Sequence, residues 1–158
     1  MKKSLKLFVI LLLIVVDVNA QNPIKHIPAF TFYTLNNTRF TTADIRQNKR
    51  IFFVFFDSSC EHCQHAMHQI DLHINSFKKT AVYLVTLDSP EAIANFMSVY
   101  APHLSHQPNV AILRDLRNEF VVKFNPRKYP SMLLYSATGR LIAYEDDDNN
   151  ISSIYNRL

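Results

Sequence analysis

Apolar residues in this chain fall into blocks whose spacing changes from one segment to the next. Residues 51–56 form an unbroken apolar and aromatic run, short enough for a strand and uniform enough to be buried on both faces in mid-sheet. From 61 to 79 the period turns helical, with Cys63, Met67, Ile70, Ile74 and Phe77 on one stripe. Residues 81–87 read as a second buried strand. Ser89-Pro90-Glu91 then supplies an N-cap, a proline at the first helical position and an early acid. The helix it opens turns Ile93, Phe96, Met97 and Tyr100 inward and stops at Pro102.

Further along, 110–113 suits a short strand, and Asp115 is placed to cap a helix through Phe124, with Leu116, Phe120 and Phe124 inward and Asn125-Pro126 as its stop. Residues 132–135 and 141–144 flank Ala137-Thr138-Gly139-Arg140, a hairpin signal around the one glycine of the chain. A second hairpin is expected upstream, from 29–35 and 39–41 about Asn36-Asn37, and 151–158 reads as a closing helix. Strands alternating with helices, then a hairpin, predict an α/β fold with a central mixed β-sheet flanked by helices and an added N-terminal β-hairpin. The closing helix is short, so one face of the sheet is expected to be thinly covered.

The N-terminus changes the picture of where the protein works. Met1-Lys2-Lys3-Ser4-Leu5-Lys6 is basic, residues 7–16 are apolar, and Val18-Asn19-Ala20 ends the run on a small residue. That is the pattern of a signal peptide cleaved after Ala20, which divides the chain into a leader, 1–20, and one domain, 21–158. The run is shorter than the roughly 20 apolar residues of a spanning helix. An extracytoplasmic and specifically periplasmic location follows as the expectation. Of the formal charge of +4, three lysines and one aspartate belong to the leader, which leaves +2 on the domain. So weak a charge does not call for nucleic acid, and the acidic run 145–148 reads as a solvated turn.

Cysteine use is the most informative feature of the composition. An exported protein with only two cysteines, Cys60 and Cys63, gains little chain-entropy stabilisation from a bridge around so small a loop. The pair therefore serves reactivity or a metal. Cys60 comes at the start of a helix, where unpaired N–H groups and the helix dipole favour a thiolate, and Cys63 lies on the buried stripe.

The hairpin from Ala29 to Thr41, the strand followed by Asp57-Ser58-Ser59-Cys60-Glu61-His62-Cys63, the later Lys128-Tyr129-Pro130-Ser131 and the turn before Gly139 together resemble the thioredoxin superfamily, specifically the exported TlpA/ResA-like thiol-disulfide oxidoreductases. The resemblance implies a thioredoxin-like sandwich in which Cys60 attacks, Cys63 resolves and Pro130 is a cis-proline beside the disulfide, with Tyr129 contacting substrate. It implies protein thiols and disulfides as partners, a membrane electron donor, a reductase or isomerase role, and no cofactor; oligomeric state is left open. Glu61 and His62 are the charges expected to tune the pair, in opposite senses: a carboxylate disfavours a neighbouring thiolate and an imidazolium favours it. Two departures stand out. Ser59 occupies the place where many relatives have tryptophan, and Val54 and Ala66 stand where some carry a buried acid, so Cys63 has no evident proton carrier.

Two other classes of function stay open. His62, His65, His68 and His73 share a helix with the cysteines, and imidazole with thiolate suits copper or zinc; three-residue spacing, however, lets only neighbouring pairs meet one ion. The third class is an interaction module of the same fold with incidental thiols.

Overall fold

The structure, a computed structural model, describes residues 23–158; the leader and its cleavage after Ala20 lie outside the described residues. In chain order the elements are β1 (Thr31–Thr34), β2 (Arg39–Thr41), β3 (Arg50–Phe55), α1 (Glu61–Leu72), β4 (Thr80–Thr86), α2 (Pro90–Tyr100), β5 (Val110–Arg114), α3 (Glu119–Phe124), β6 (Ser131–Tyr135), β7 (Leu141–Glu145) and α4 (Ser152–Tyr155). The strands make one sheet in the order β2-β1-β5-β4-β3-β6-β7. β3 runs parallel to β4, from Arg50 opposite Thr80 to Phe55 opposite Val85, and antiparallel to β6, from Ile51 opposite Tyr135 to Phe55 opposite Ser131. β4 and β5 are parallel, and β1, β2, β6 and β7 add the antiparallel pairings. The expected mixed sheet and N-terminal hairpin are both present.

The apolar run of β3 is explained by its place in the middle. Phe52, Val54 and Phe56 enter one core with Met67 and Ile70 of α1, Ile93 and Phe96 of α2, and Ile154 of α4. Ile51, Phe53 and Phe55 enter the opposite core with Phe30, Phe32, Phe120, Phe124 and Tyr135. Each fully buried side chain of this size contributes about 1.5–3 kcal/mol. α4 thus shares its face with α1 and α2. The opposite face has α3 as its one helix among the described residues, and stacked rings fill the space: Phe55 on Phe120 at 4.4 Å and Phe120 on Phe124 at 4.3 Å.

Three helix boundaries differ from the sequence expectation, each through a local polar contact. The helix expected over 61–79 stops at Leu72, because His73 leaves helical geometry and its ring bonds the Gln69 carbonyl at 2.9 Å; Ile74–Phe77 follows as a 3-10 turn. Asp115 does cap a helix, but from a distance. It is buried at the end of β5, and its carboxylate accepts the N–H groups of Arg117, Glu119 and Phe120. α3 therefore begins only at Glu119, after left-handed Asn118, and Leu116 is 47% exposed instead of inward. At the C-terminus only Ser152–Tyr155 is α-helical, with turn-like bonds continuing to Leu158.

β3, β4 and β5 all end at the same edge of the sheet, where β6 begins. Residues 56–60, 87–88, 115–116 and 129–130 are thereby gathered around the start of α1.

Candidate active site

Cys60 is the N-cap residue of α1, and the loop before it is held by hydrogen bonds at both ends. Phe56 extends the β3–β4 ladder by donating to the Val85 carbonyl at 3.0 Å. Asp57 then forms a turn: its carbonyl accepts the Cys60 N–H at 3.2 Å, and its Oδ1 accepts the Ser59 N–H and hydroxyl at 2.8 and 2.6 Å. Ser58 donates its N–H to Asp88 Oδ2 at 2.9 Å, an oxygen that also accepts the Thr86 hydroxyl. The loop is thus tied to the end of β4.

The two thiols are free and differently placed. Cys60 is half-buried at the surface, and its Sγ accepts the Cys63 N–H of the first helical turn at 3.4 Å, a donor shared with the Cys60 carbonyl at 3.0 Å. Cys63 is 0% exposed. Burial pushes the Cys63 thiol far above the ordinary cysteine range; an N–H donated by Asp57 to its sulfur opposes this, and the neighbouring Cys60 sulfur and Asp57 carboxylate add to the rise. At neutral pH Cys63 is therefore held as a thiol beneath an accessible Cys60.

The Tyr129–Pro130 peptide bond is cis, and Pro130 is buried at the start of β6, one residue before the Ser131–Phe55 pairing. Tyr129 stacks on Phe55 at 4.8 Å and touches both cores. Burial raises the Tyr129 phenol, and the charges of Asp57, Cys63, Asp88 and Asp115 raise it further, so the ring stands within electrostatic reach of the motif. The structure thus gathers Cys60, Cys63, Pro130 and Tyr129 at one edge of the sheet.

Glu61 is exposed in the first turn of α1. His62 is also on the surface, but its Nδ1 lies 2.9 Å from Asp148 Oδ1, while His65 Nδ1 lies 2.8 Å from Asp148 Oδ2. An ionised carboxylate only accepts hydrogen bonds, so both rings carry a proton on Nδ1. This corrects the reading of 145–148 as a solvated turn. Asp148 is buried, Asp146 pairs with Arg127 at 2.8 Å, and Glu145 accepts bonds from Asn150 and Ser153. The turn is acidic because it docks on cations and donors, and its one exposed acid is Asp147. His68 is exposed and His73 stacks on Tyr155 at 4.8 Å. Among the described residues no group of three or more His, Cys, Asp or Glu is arranged to hold a metal ion.

Sequence reasoning did not single out Asp57, Asp88 or Asp148. Asp57-Ser58-Ser59 carries the signature of an aspartate-nucleated turn. Nothing in one dimension joins Asp148 to a helix more than 80 residues earlier.

Residues 23–143 match the AhpC/TSA family, and the chain belongs to it. No curated protein matches the chain. Solved structures show its fold to be thioredoxin-like. A thiol-disulfide oxidoreductase from Bacteroides fragilis superposes with a TM-score of 0.67 at 18% identity over 85% of this chain and 100% of that one. A thioredoxin-like protein from Aeropyrum pernix gives 0.67 at 13% identity over 82% and 89%. A secreted Mycobacterium tuberculosis disulfide oxidoreductase, homologous to E. coli DsbE, gives 0.64 at 18% over 82% and 96%.

Proposed function

We propose that the protein is an extracytoplasmic thiol-disulfide oxidoreductase, TlpA/ResA-like in role, that reduces or isomerises protein disulfides and is kept reduced by a membrane electron donor. The observation that carries this reading is the asymmetry of the pair: a half-exposed Cys60 receiving a helix N–H over a fully buried, protonated Cys63. The Cys60 thiolate attacks one sulfur of a substrate disulfide, forming a mixed disulfide and releasing the first substrate thiolate. Cys63 then gives up its proton, which ends on water or on a released substrate thiolate, and attacks Cys60 Sγ, which releases the second thiolate and leaves a Cys60–Cys63 disulfide; the substrate has gained two electrons and the protein has lost them. A polypeptide substrate suits the surroundings, since exposed Leu87 and Leu116 follow β4 and β5 at the edge where Cys60 and Tyr129 lie.

Titration of the couple against glutathione tests the direction of flow. A potential well below the roughly −120 mV of a strong periplasmic oxidant supports the reductase role, and one near that value refutes it. A Cys63→Ser variant should accumulate mixed disulfides through Cys60. Failure to trap any, together with tight stoichiometric copper or zinc binding by the parent protein, would instead support a metal-binding role for the cysteines and histidines.

A further inference from the structure

The segment that joins α3 to β6 carries Tyr129 and Pro130 to the edge of the sheet where Cys60 lies. Pairing with β3 begins only at Ser131, so side chains must set the course of the residues before it. Ser131 is fully buried and donates its one hydroxyl proton to the Lys128 carbonyl at 2.6 Å. Its Oγ also lies 2.9 Å from the Tyr144 hydroxyl, and since the serine proton is already used, Tyr144 is the donor of that contact. The Tyr144 oxygen in turn accepts the Arg127 N–H at 2.9 Å. One chain of hydrogen bonds thus runs from the Arg127 N–H through Tyr144 and Ser131 to the Lys128 carbonyl. Among the described residues it is what holds the backbone of Arg127 and Lys128.

Resting on the reading above, we propose that Tyr144 is a positioning residue for polypeptide substrates: through this chain its hydroxyl fixes residues 127–131, and with them Tyr129, in the place past which a protein disulfide must reach Cys60. Tyr129 is half-exposed, stacks on Phe55 at 4.8 Å and packs with Cys60 against the same core. A polypeptide brought to the Cys60 sulfur therefore lies beside it. Tyr144 packs against the opposite core and acts through the segment. The phenol is itself well anchored. β7 pairs it with Leu133 of β6, and the Arg127 guanidinium, bound to Asp146 at 2.8 Å, sits 4.6 Å over its ring. Removing the hydroxyl alone leaves these anchors in place, turns the Arg127 N–H to water and deprives Ser131 Oγ of its donor.

Single turnovers of the reduced protein with insulin, a polypeptide disulfide, and with Ellman's reagent, which needs only the exposed Cys60 sulfur, test this. In Tyr144→Phe the half-saturating insulin concentration should rise about 3- to 10-fold, the factor carried by one net hydrogen bond. The limiting rate with insulin and the rate constant with Ellman's reagent should stay at the parent values. Ser131→Ala interrupts the same chain and should act alike, and the double variant should be no worse than either single one. It also decides the matter if Tyr144→Phe fails to fold. Parent half-saturation in Tyr144→Phe overturns the proposal. So does a reaction with Ellman's reagent that slows in step with that of insulin, because the hydroxyl would then serve the fold as a whole. Effects of the two variants that multiply in the double one would mean two separate contacts and overturn the single chain. A parent protein that reduces neither substrate overturns the oxidoreductase reading itself, a different result.

Discussion

Replacing Asp148 with asparagine removes the carboxylate shared by two imidazoles on α1. Asparagine keeps one acceptor oxygen, so its amide must turn toward the other Nδ1–H, donor against donor. A hydrogen bond to a shielded charged group is worth about 1.5–3 kcal/mol. The His62 and His65 side chains are 72% and 45% exposed, however, against 11% for Asp148, and solvent pulls each pair toward the roughly 0.2–1 kcal/mol of surface ion pairs. The better covered His65 bond should count for more. Together the loss comes to about 1–2 kcal/mol. With an unfolding entropy of about 2.1 cal/mol/K per residue, a domain of this size should lose about 3–7 °C in Tm. Urea unfolding should show a lower midpoint at unchanged m-value. Double-mutant cycles with His62→Gln and His65→Gln should each return a coupling energy, the larger with His65. If Asp148→Asn unfolds at the parent midpoint, or if both cycles are additive within about 0.3 kcal/mol, the bridge contributes nothing and the docking of the C-terminal turn must rest on its other contacts, the Arg127–Asp146 pair, Tyr155 on Gln69 and His73, and the buried Ile151 and Ile154.

Brief alkylation of the reduced protein should modify Cys60 well before Cys63, which is wholly buried and held as a thiol; mass spectrometry showing equal labelling would remove the distinction between attacking and resolving sulfur. Phe120→Ala should cost about 3–5 kcal/mol in urea unfolding, because the ring is fully buried between Phe55 and Phe124 on the face with a single helix; a loss below about 1.5 kcal/mol would mean that this face collapses onto the gap. Burial pushes the Glu119 carboxyl up, but bonds from Lys123 at 2.7 Å and from the Thr31 N–H at 2.9 Å outweigh it and hold the group below the ordinary value of 4.5. A depressed native pKa gives stability that is present above the unfolded value and lost as pH falls through the native one. Midpoints measured against pH should therefore decline below about pH 4.5 in the parent and less steeply in Glu119→Gln; parallel curves would refute this role.

What could be read in one dimension was whatever repeats at short range. The apolar run of β3 and the stripe through Cys63, Met67 and Ile70 report burial directly, so the strand, the helix and the placing of both cysteines were accessible. The cis bond at Pro130 followed from a resemblance, since composition alone permits either isomer. Helix ends were misplaced where one side chain redirects the backbone, as His73 does to Gln69 and Asp115 to the start of α3. The acidic turn was misread because its meaning lies in Arg127, His62 and His65, which only the fold brings near.

The position of β3 between β4 and β6 has a consequence in time. One neighbour follows about 30 residues after it and the other about 80, and Pro130 reaches the motif only when β6 pairs. A chain made from its N-terminus at about 5–20 residues per second leaves the motif without that neighbour for roughly 4–14 s. Throughout that interval both cysteines form an ordinary dithiol, open to any oxidant or metal it meets. Chemical selectivity arrives with the last fifth of the polypeptide, when one sulfur is sealed off and the other is left facing out, so a chain released early would be an indiscriminate thiol instead of a discriminating one.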